Sequence, residues 1–208
     1  FKMTKITKYR FYVIGVGGTG SLLARDLPKL LLNTNHKMKL VDGDVVERKN
    51  IKRQGYQEQD IGTNKAISLS RKINSLYSME CEFDDDYCTF DDLYKMATKD
   101  ERYIPVIIGC VDNDATRKIL EQVFNKLENV IYIDSANSEY EGNIYVASKK
   151  DGIQKTYLND SSCRIVEYDA GKLTNDYYLL ADSAGNTLKY RITDDSPVWE
   201  SPTLAERI

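Results

Sequence analysis

A glycine-dense turn, Gly15-Val16-Gly17-Gly18-Thr19-Gly20, stands directly after the apolar run Phe11-Tyr12-Val13-Ile14. Glycine permits a tight turn and a close approach of the backbone to a ligand. The free N–H groups and positive dipole end of a helix starting at Thr19 favour an anion there. A second apolar run closes on Leu40-Val41-Asp42-Gly43-Asp44. In doubly wound sheets an acid at the position of Asp42 accepts from ribose hydroxyls. Asp44 either caps the following turn or shapes the pocket. A third group follows: Asn50, Arg53, Gln54 and Lys65. The arginine fork suits phosphate oxygens, and a lysine at a helix start supplies a mobile point charge. A glycine loop alone is a weak signal, but the three elements in series point to a nucleotide with chemistry at its phosphates. An NAD site would use the loop and Asp42 but gives Arg53 and Lys65 no task. The plain alternative for Arg48, Lys49, Lys52 and Arg53 is a solvated basic face.

A fourth element, Cys110-Val111-Asp112-Asn113-Asp114-Ala115-Thr116-Arg117, closes another apolar run and opens a helical one. That spacing puts Asp112 and Asn113 at the ligand edge of a parallel sheet. An acid beside phosphates is a natural magnesium ligand. Asp112 also suits the N-cap of the next helix, a role that Asn113 or Asp114 fills equally well.

These residues need strands that end together and helices that start there. Phe11–Ile14, Lys37–Val41, Tyr103–Cys110 and Val130–Ile133 read as strands, with a weaker one at Cys81–Phe83. Ser21–Leu32, Lys65–Leu76, Phe90–Ala97 and Asp114–Lys126 read as helices, with Pro28 set to kink or end the first. Alternation of the two implies a Rossmann-like α/β fold, a mainly parallel sheet with helices on both faces. Beyond residue 135 the pattern changes. Gly142–Ala147, Arg164–Tyr168 and Thr187–Ile192 read as antiparallel strands. The expected organisation is therefore a nucleotide-binding α/β core over 1–135 and an appended β region over 136–208, with a loop near 160 and a tail of no clear periodicity.

Composition narrows the function classes. Hydrophobic residues are 41% and charged residues 29%, as in a globular chain, and the net charge is -3. Nothing in that balance suggests affinity for nucleic acid or an anionic membrane. No apolar run reaches the length needed to span a bilayer, and no apolar signal core precedes the first strand, so the chain reads as cytoplasmic. Cys81, Cys88, Cys110 and Cys163 are scattered and include no C-x-x-C pair. Neither a disulfide framework nor a zinc site is expected. Catalysis through histidine would have to use His36, which reads as a surface residue in a polar loop.

The four elements together resemble the ThiF/MoeB/HesA family, bacterial relatives of ubiquitin-activating enzymes. Gly15-x-Gly17-Gly18-x-Gly20 resembles that family's glycine loop, and Asp42-x-Asp44-x-Val46-x-x-x-Asn50-x-x-Arg53-Gln54 its nucleotide motif. Asp60-Ile61-Gly62 running into Lys65-Ala66, and Cys110-x-Asp112-Asn113-x-x-x-Arg117, resemble two more, in family order. The resemblance implies an ATP-dependent adenylyltransferase, usually a homodimer. In the family the C-terminal carboxylate of a small ubiquitin-like protein or peptide attacks the α-phosphate of ATP. Carried onto this chain, Asp42 holds the ribose, Asn50, Arg53 and Lys65 hold the phosphates, and Asp112 binds Mg2+. Three departures are visible. The zinc cysteine pairs common in MoeB-like members are absent. No Arg-rich helix precedes the first strand, and Arg10 is the nearest stand-in for the arginine that reaches a partner's site. Cys163 is the only cysteine where some members carry a thioester-forming thiol, and no second feature supports it as a nucleophile.

Overall fold

The structure is a computed structural model that describes residues 7–137, 142–158, 163–167, 177–182 and 187–191. The described residues fall into two compact units divided between Ile107 and Ile108.

In the first unit the apolar runs become parallel strands. β1 (Lys8–Ile14) lies beside β2 (Lys37–Val41), with Val13 opposite Leu40 and Ile14 opposite Val41. β2 pairs in parallel with β3 (Cys81–Asp84). The hydrogen-bonded order is β3-β2-β1-β4, where β4 (Tyr103–Gly109) leads across the division. Tyr12, Val13, Ile14, Met38, Leu40 and Val41 are all buried, as strands covered on both faces require. A strand order that reverses beside β1 opens a crevice at the strand's C-terminal end, where the glycine turn stands.

Three helices complete this unit. α1 (Gly18–Leu31) starts inside the glycine turn and runs through Pro28, which loses one bond without ending it. Its buried side is Ala24, Leu27, Pro28 and Leu31, while Leu22 and Leu30 face out. α2 (Lys65–Tyr77) is capped by Asn64, whose side chain accepts from Ile67 N, and closes at Ser78 in the left-handed region. α3 (Phe90–Thr98) is capped by Thr89. Two short 3-10 turns, Arg48–Asn50 and Glu58–Asp60, fill the stretch between β2 and α2. His36 is half-buried rather than a plain surface group: its Nδ1 accepts from Tyr9 N at 3.1 Å, beside the Tyr9 and Phe11 rings.

In the second unit α4 (Asp114–Lys126) is capped by Asn113. β5 (Val130–Asn137), β6 (Gly142–Lys150) and β7 (Ile153–Leu158) form an antiparallel ladder. β8 (Cys163–Glu167), β9 (Tyr177–Asp182) and β10 (Thr187–Arg191) form a separate antiparallel sheet. The α/β class and the C-terminal antiparallel strands are those expected from the sequence.

One buried ion pair organises this unit. Arg117 Nε lies 3.3 Å from Asp134 Oδ2, and Arg117 Nη2 donates to Val111 O at 2.7 Å and Ser135 O at 3.4 Å. The pair thereby fixes the turn that carries Asp112. Gly109 leaves room for it: a Cβ there would sit 2.6 Å from Asp134 Oδ1. Burial pushes the Asp134 carboxyl from 3.8 up to about 6, against the pull of Arg117. The folded chain therefore binds this proton more tightly than the unfolded chain. Its stabilising contribution is full below about pH 3.8 and is lost as pH rises to about 6. We expect the stability advantage of wild type over Asp134→Asn to shrink by about 1–3 kcal/mol between pH 4 and pH 7 in urea denaturation. A constant difference would show that Asp134 does not titrate there.

Candidate functional site

The glycine turn leaves its backbone open on the side that no side chain fills. Gly15 has φ +82°, which side chains disfavour. Gly17 and Gly18 lack that reason, and a Cβ on either would meet no protein atom within 4 Å. Space that packing leaves open at both positions is space for something to approach the backbone. Gly17 caps α1 without a side-chain bond, and no acid stands in the first helical turn. Gly20 is buried at the helix start. No acidic side chain within the first turn of α1 therefore offsets its positive dipole end.

Asp42 joins this turn to β2. Its Oδ2 accepts from Val16 N at 2.7 Å and its Oδ1 from Asp44 N at 2.8 Å. Each oxygen keeps a further lone pair for a hydroxyl donor. Burial raises the Asp42 carboxyl, and the two N–H donors and nearby Lys65 oppose the rise. The turn is held from a second side by residues beyond the basic stretch. Tyr56 is buried and donates its hydroxyl to Val16 O at 2.5 Å, while Gly55 N donates to Ser21 Oγ at 3.0 Å. Val16 thus has its N–H on Asp42 and its carbonyl on Tyr56. The Arg48–Gln54 stretch is thereby tethered to the glycine turn.

Lys65 is positioned by backbone pairing across the loop. Val46 N donates to Thr63 O, Gly62 N to Val46 O, and Lys65 N to Asp44 O. Asn64 Nδ2 adds a bond to Asp42 O at 2.7 Å. Lys65 is 8% exposed, and its Nζ donates to Asp44 Oδ2 at 2.8 Å. Lys65 and Tyr87, both donors to it, hold the Asp44 carboxyl below the usual range. Farther along the same helix, Ser68 Oγ donates at 2.9 Å and Lys72 donates to buried Asp60. Burial draws its carboxyl upward, but these donors hold it below normal.

The remaining residues divide. Asn50 is buried and spends its Oδ1 on Glu47 N at 2.8 Å, inside its own turn. Gln54 Oε1 is buried without a partner among the described residues. Arg53 is exposed, and no ion pair or hydrogen bond among the described residues engages its guanidinium. Within the second unit Asn113 caps α4, accepting from Thr116 N at 2.8 Å. That leaves Asp112 exposed and unpaired among the described residues. Arg10 is committed within its own unit, 5.1 Å from the Tyr103 ring and 3.8 Å from Glu82. Cys163 opens β8, and its side chain lies outside the described residues, as does the loop before it. Sequence reasoning missed Tyr56 and Tyr87, and only the closeness of Tyr56 to Gln54 offered a signal.

Parallel strands ordered β3-β2-β1-β4, with a glycine turn and an acid at the strand ends, define a Rossmann-like fold of the nucleotide-binding kind. The model of the ThiF family matches residues 2–169, and the chain belongs to that family. It is 25% identical over 145 residues to ubiquitin-like modifier-activating enzyme 5 of Oryza sativa subsp. japonica, covering 65% of this chain and 34% of that protein. It is 32% identical over 111 residues to adenylyltransferase and sulfurtransferase MOCS3 of Dictyostelium discoideum, covering 52% and 24%. The chain thus spans about a third or less of the length of these curated relatives. Among solved structures, E. coli tRNA N6-threonylcarbamoyladenosine dehydratase TcdA in complex with ATP matches with TM-score 0.53 at 21% identity, covering 62% of this chain and 51% of that one. PaaA matches with TM-score 0.53 at 16% identity, covering 95% and 64%. These likenesses show a common fold, of the adenylyltransferase type. No helix among the described residues is long and apolar enough to cross a membrane.

Tyr56→Phe removes the donor to Val16 O and leaves a buried carbonyl unpaired. We expect a loss of about 1–3 kcal/mol in urea denaturation. A loss near zero would mean that water or another donor already serves that carbonyl.

Proposed function

We propose that this chain binds ATP and adenylates a carboxylate at the C-terminus of a small ubiquitin-like protein or peptide. The observation that carries the proposal is the open backbone at Gly17 and Gly18 beside the Asp42, Asp44 and Lys65 network. Asp42 would accept from the ribose. The α1 N-terminus with Gly15, Gly17, Gly18 and Gly20 would take phosphate oxygens. Asn50, Arg53, Gln54 and Lys65 would orient the triphosphate and stabilise charge as it develops, Lys65 by leaving Asp44 and Arg53 with its unengaged guanidinium. Asn113, as the cap of α4, would hold the turn that presents Asp112.

An unpaired, exposed carboxylate is the oxygen donor that magnesium takes alongside phosphates, so Asp112 fits the role of ligand to Mg2+. When bound, the ion would neutralise phosphate charge. In the reaction an acceptor carboxylate oxygen bonds to the α-phosphorus while the bond to the bridging oxygen of the β-phosphate breaks. Pyrophosphate leaves and an acyl-adenylate remains. No general base is required, because the attacking carboxylate is already ionised. Positioning and charge stabilisation supply the catalysis. In this proposal residues 1–135 form the nucleotide core and 136–208 an appended β region, and the adenylation step makes no use of Cys163. The working form is a cytoplasmic homodimer.

A second reading is a non-catalytic nucleotide-binding subunit of a heteromeric activating enzyme. It is favoured by Arg10, which is engaged with Tyr103 and Glu82 and so is not free for a partner's site. Magnesium-dependent ATP–pyrophosphate exchange separates the two. We expect exchange that depends on a protein or peptide ending in Gly-Gly and falls about a hundredfold or more in Lys65→Ala. Exchange unchanged by Lys65→Ala would remove Lys65 from the chemistry. ATP binding with no exchange would favour the scaffold, and exchange stimulated by tRNA instead of the peptide would overturn the acceptor.

A further inference from the structure

Tyr87 comes from the acid-rich loop after β3, yet it reaches back over the end of β2. A Cβ on Gly43 would lie 2.7–2.8 Å from its ring atoms Cγ, Cδ1 and Cδ2. Gly43 is not among the glycines with positive φ, so this ring is what its lack of a side chain accommodates. The Tyr87 hydroxyl donates to Asp44 Oδ1 at 2.6 Å while Lys65 Nζ donates to Asp44 Oδ2 at 2.8 Å. Tyr87 is otherwise 72% exposed, so the ring is held by Gly43 and Asp44 rather than by a core.

We infer that Tyr87 is a positioning residue that holds the Asp44 carboxylate and thereby sets how readily Lys65 leaves it for a phosphate. The inference rests on the proposed triphosphate site. An ammonium fully paired with a carboxylate serves an incoming phosphate poorly, because the pair must loosen first. A hydroxyl donating to the same carboxylate takes up part of its charge and weakens its hold on the lysine. It also leaves Asp44 with a donor once Lys65 has turned away, so that the carboxylate is not abandoned beside a triphosphate. Without the hydroxyl, Lys65 stays with Asp44.

The test is a double-mutant cycle on ATP affinity, measured by titration calorimetry without acceptor. Tyr87→Phe keeps the ring and removes the donor, and should weaken ATP binding about threefold to tenfold. In an Asp44→Asn background the same substitution should change nothing, because the carboxylate through which it acts is gone. Gly43→Ala displaces the ring and should behave as Tyr87→Phe does in both backgrounds. Inorganic tripolyphosphate should show the same loss, since it has no base to stack on the ring. A merely structural role would instead lower the thermal midpoint and act alike in both backgrounds. Unchanged affinity in Tyr87→Phe, or an equal loss with and without Asp44, overturns the inference while leaving the triphosphate site standing. No ATP binding by wild type, or binding indifferent to Lys65→Ala, overturns both.

Discussion

The carboxylate of Asp42 is the tie on which the rest of the site depends. One oxygen takes the N–H of Val16 in the turn after β1, and the other takes the N–H of Asp44 just past the end of β2. The two backbone donors offset part of the cost of burying this carboxylate and fix both chain segments at once. Parallel strands place these two ends side by side, but they do not fix the path of the backbone beyond them. Asp42 does that. The glycine turn can therefore keep its four glycines, with its stiffness supplied from outside it.

From that tie the remaining polar contacts run outward in a chain. Val16, fixed by Asp42, presents its carbonyl to Tyr56, and Gly55 adds a bond to Ser21, so the basic stretch before Tyr56 is held to α1. Asp44, fixed by Asp42, presents its carbonyl to the first residue of α2 and its carboxylate to Lys65. Asp60 closes the far end through Ser68 and Lys72 on the same helix. Lys65 is thus held into the same network twice, by its backbone N–H and by its ammonium.

The strands and helices were legible in the sequence because each carries its own periodicity. β2 and α4 were read at their observed limits, and α2 to within one residue. What was not legible depends on contacts distant in sequence. Tyr56 meets Val16 across 40 positions and Tyr87 meets Asp44 across 43, and no local pattern marks either partner. β7 and β9 were missed because polar and tyrosine-rich stretches carry no clean alternation, and antiparallel pairing supplies the order instead. Asn50 illustrates a different limit. Its side-chain oxygen holds Glu47 N within its own turn, a contact that no local pattern announces and that leaves its Nδ2 as the donor for a phosphate.

The central claim is that the glycine turn and the residues through Lys65 form one site for a nucleoside triphosphate. Titration calorimetry of the intact chain with ATP and with NAD, each with magnesium, addresses it most directly. ATP should bind with measurable heat, and NAD, lacking a terminal phosphate group for Arg53 and Lys65, should bind far more weakly. Tight binding of NAD together with indifference to ATP would contradict the claim.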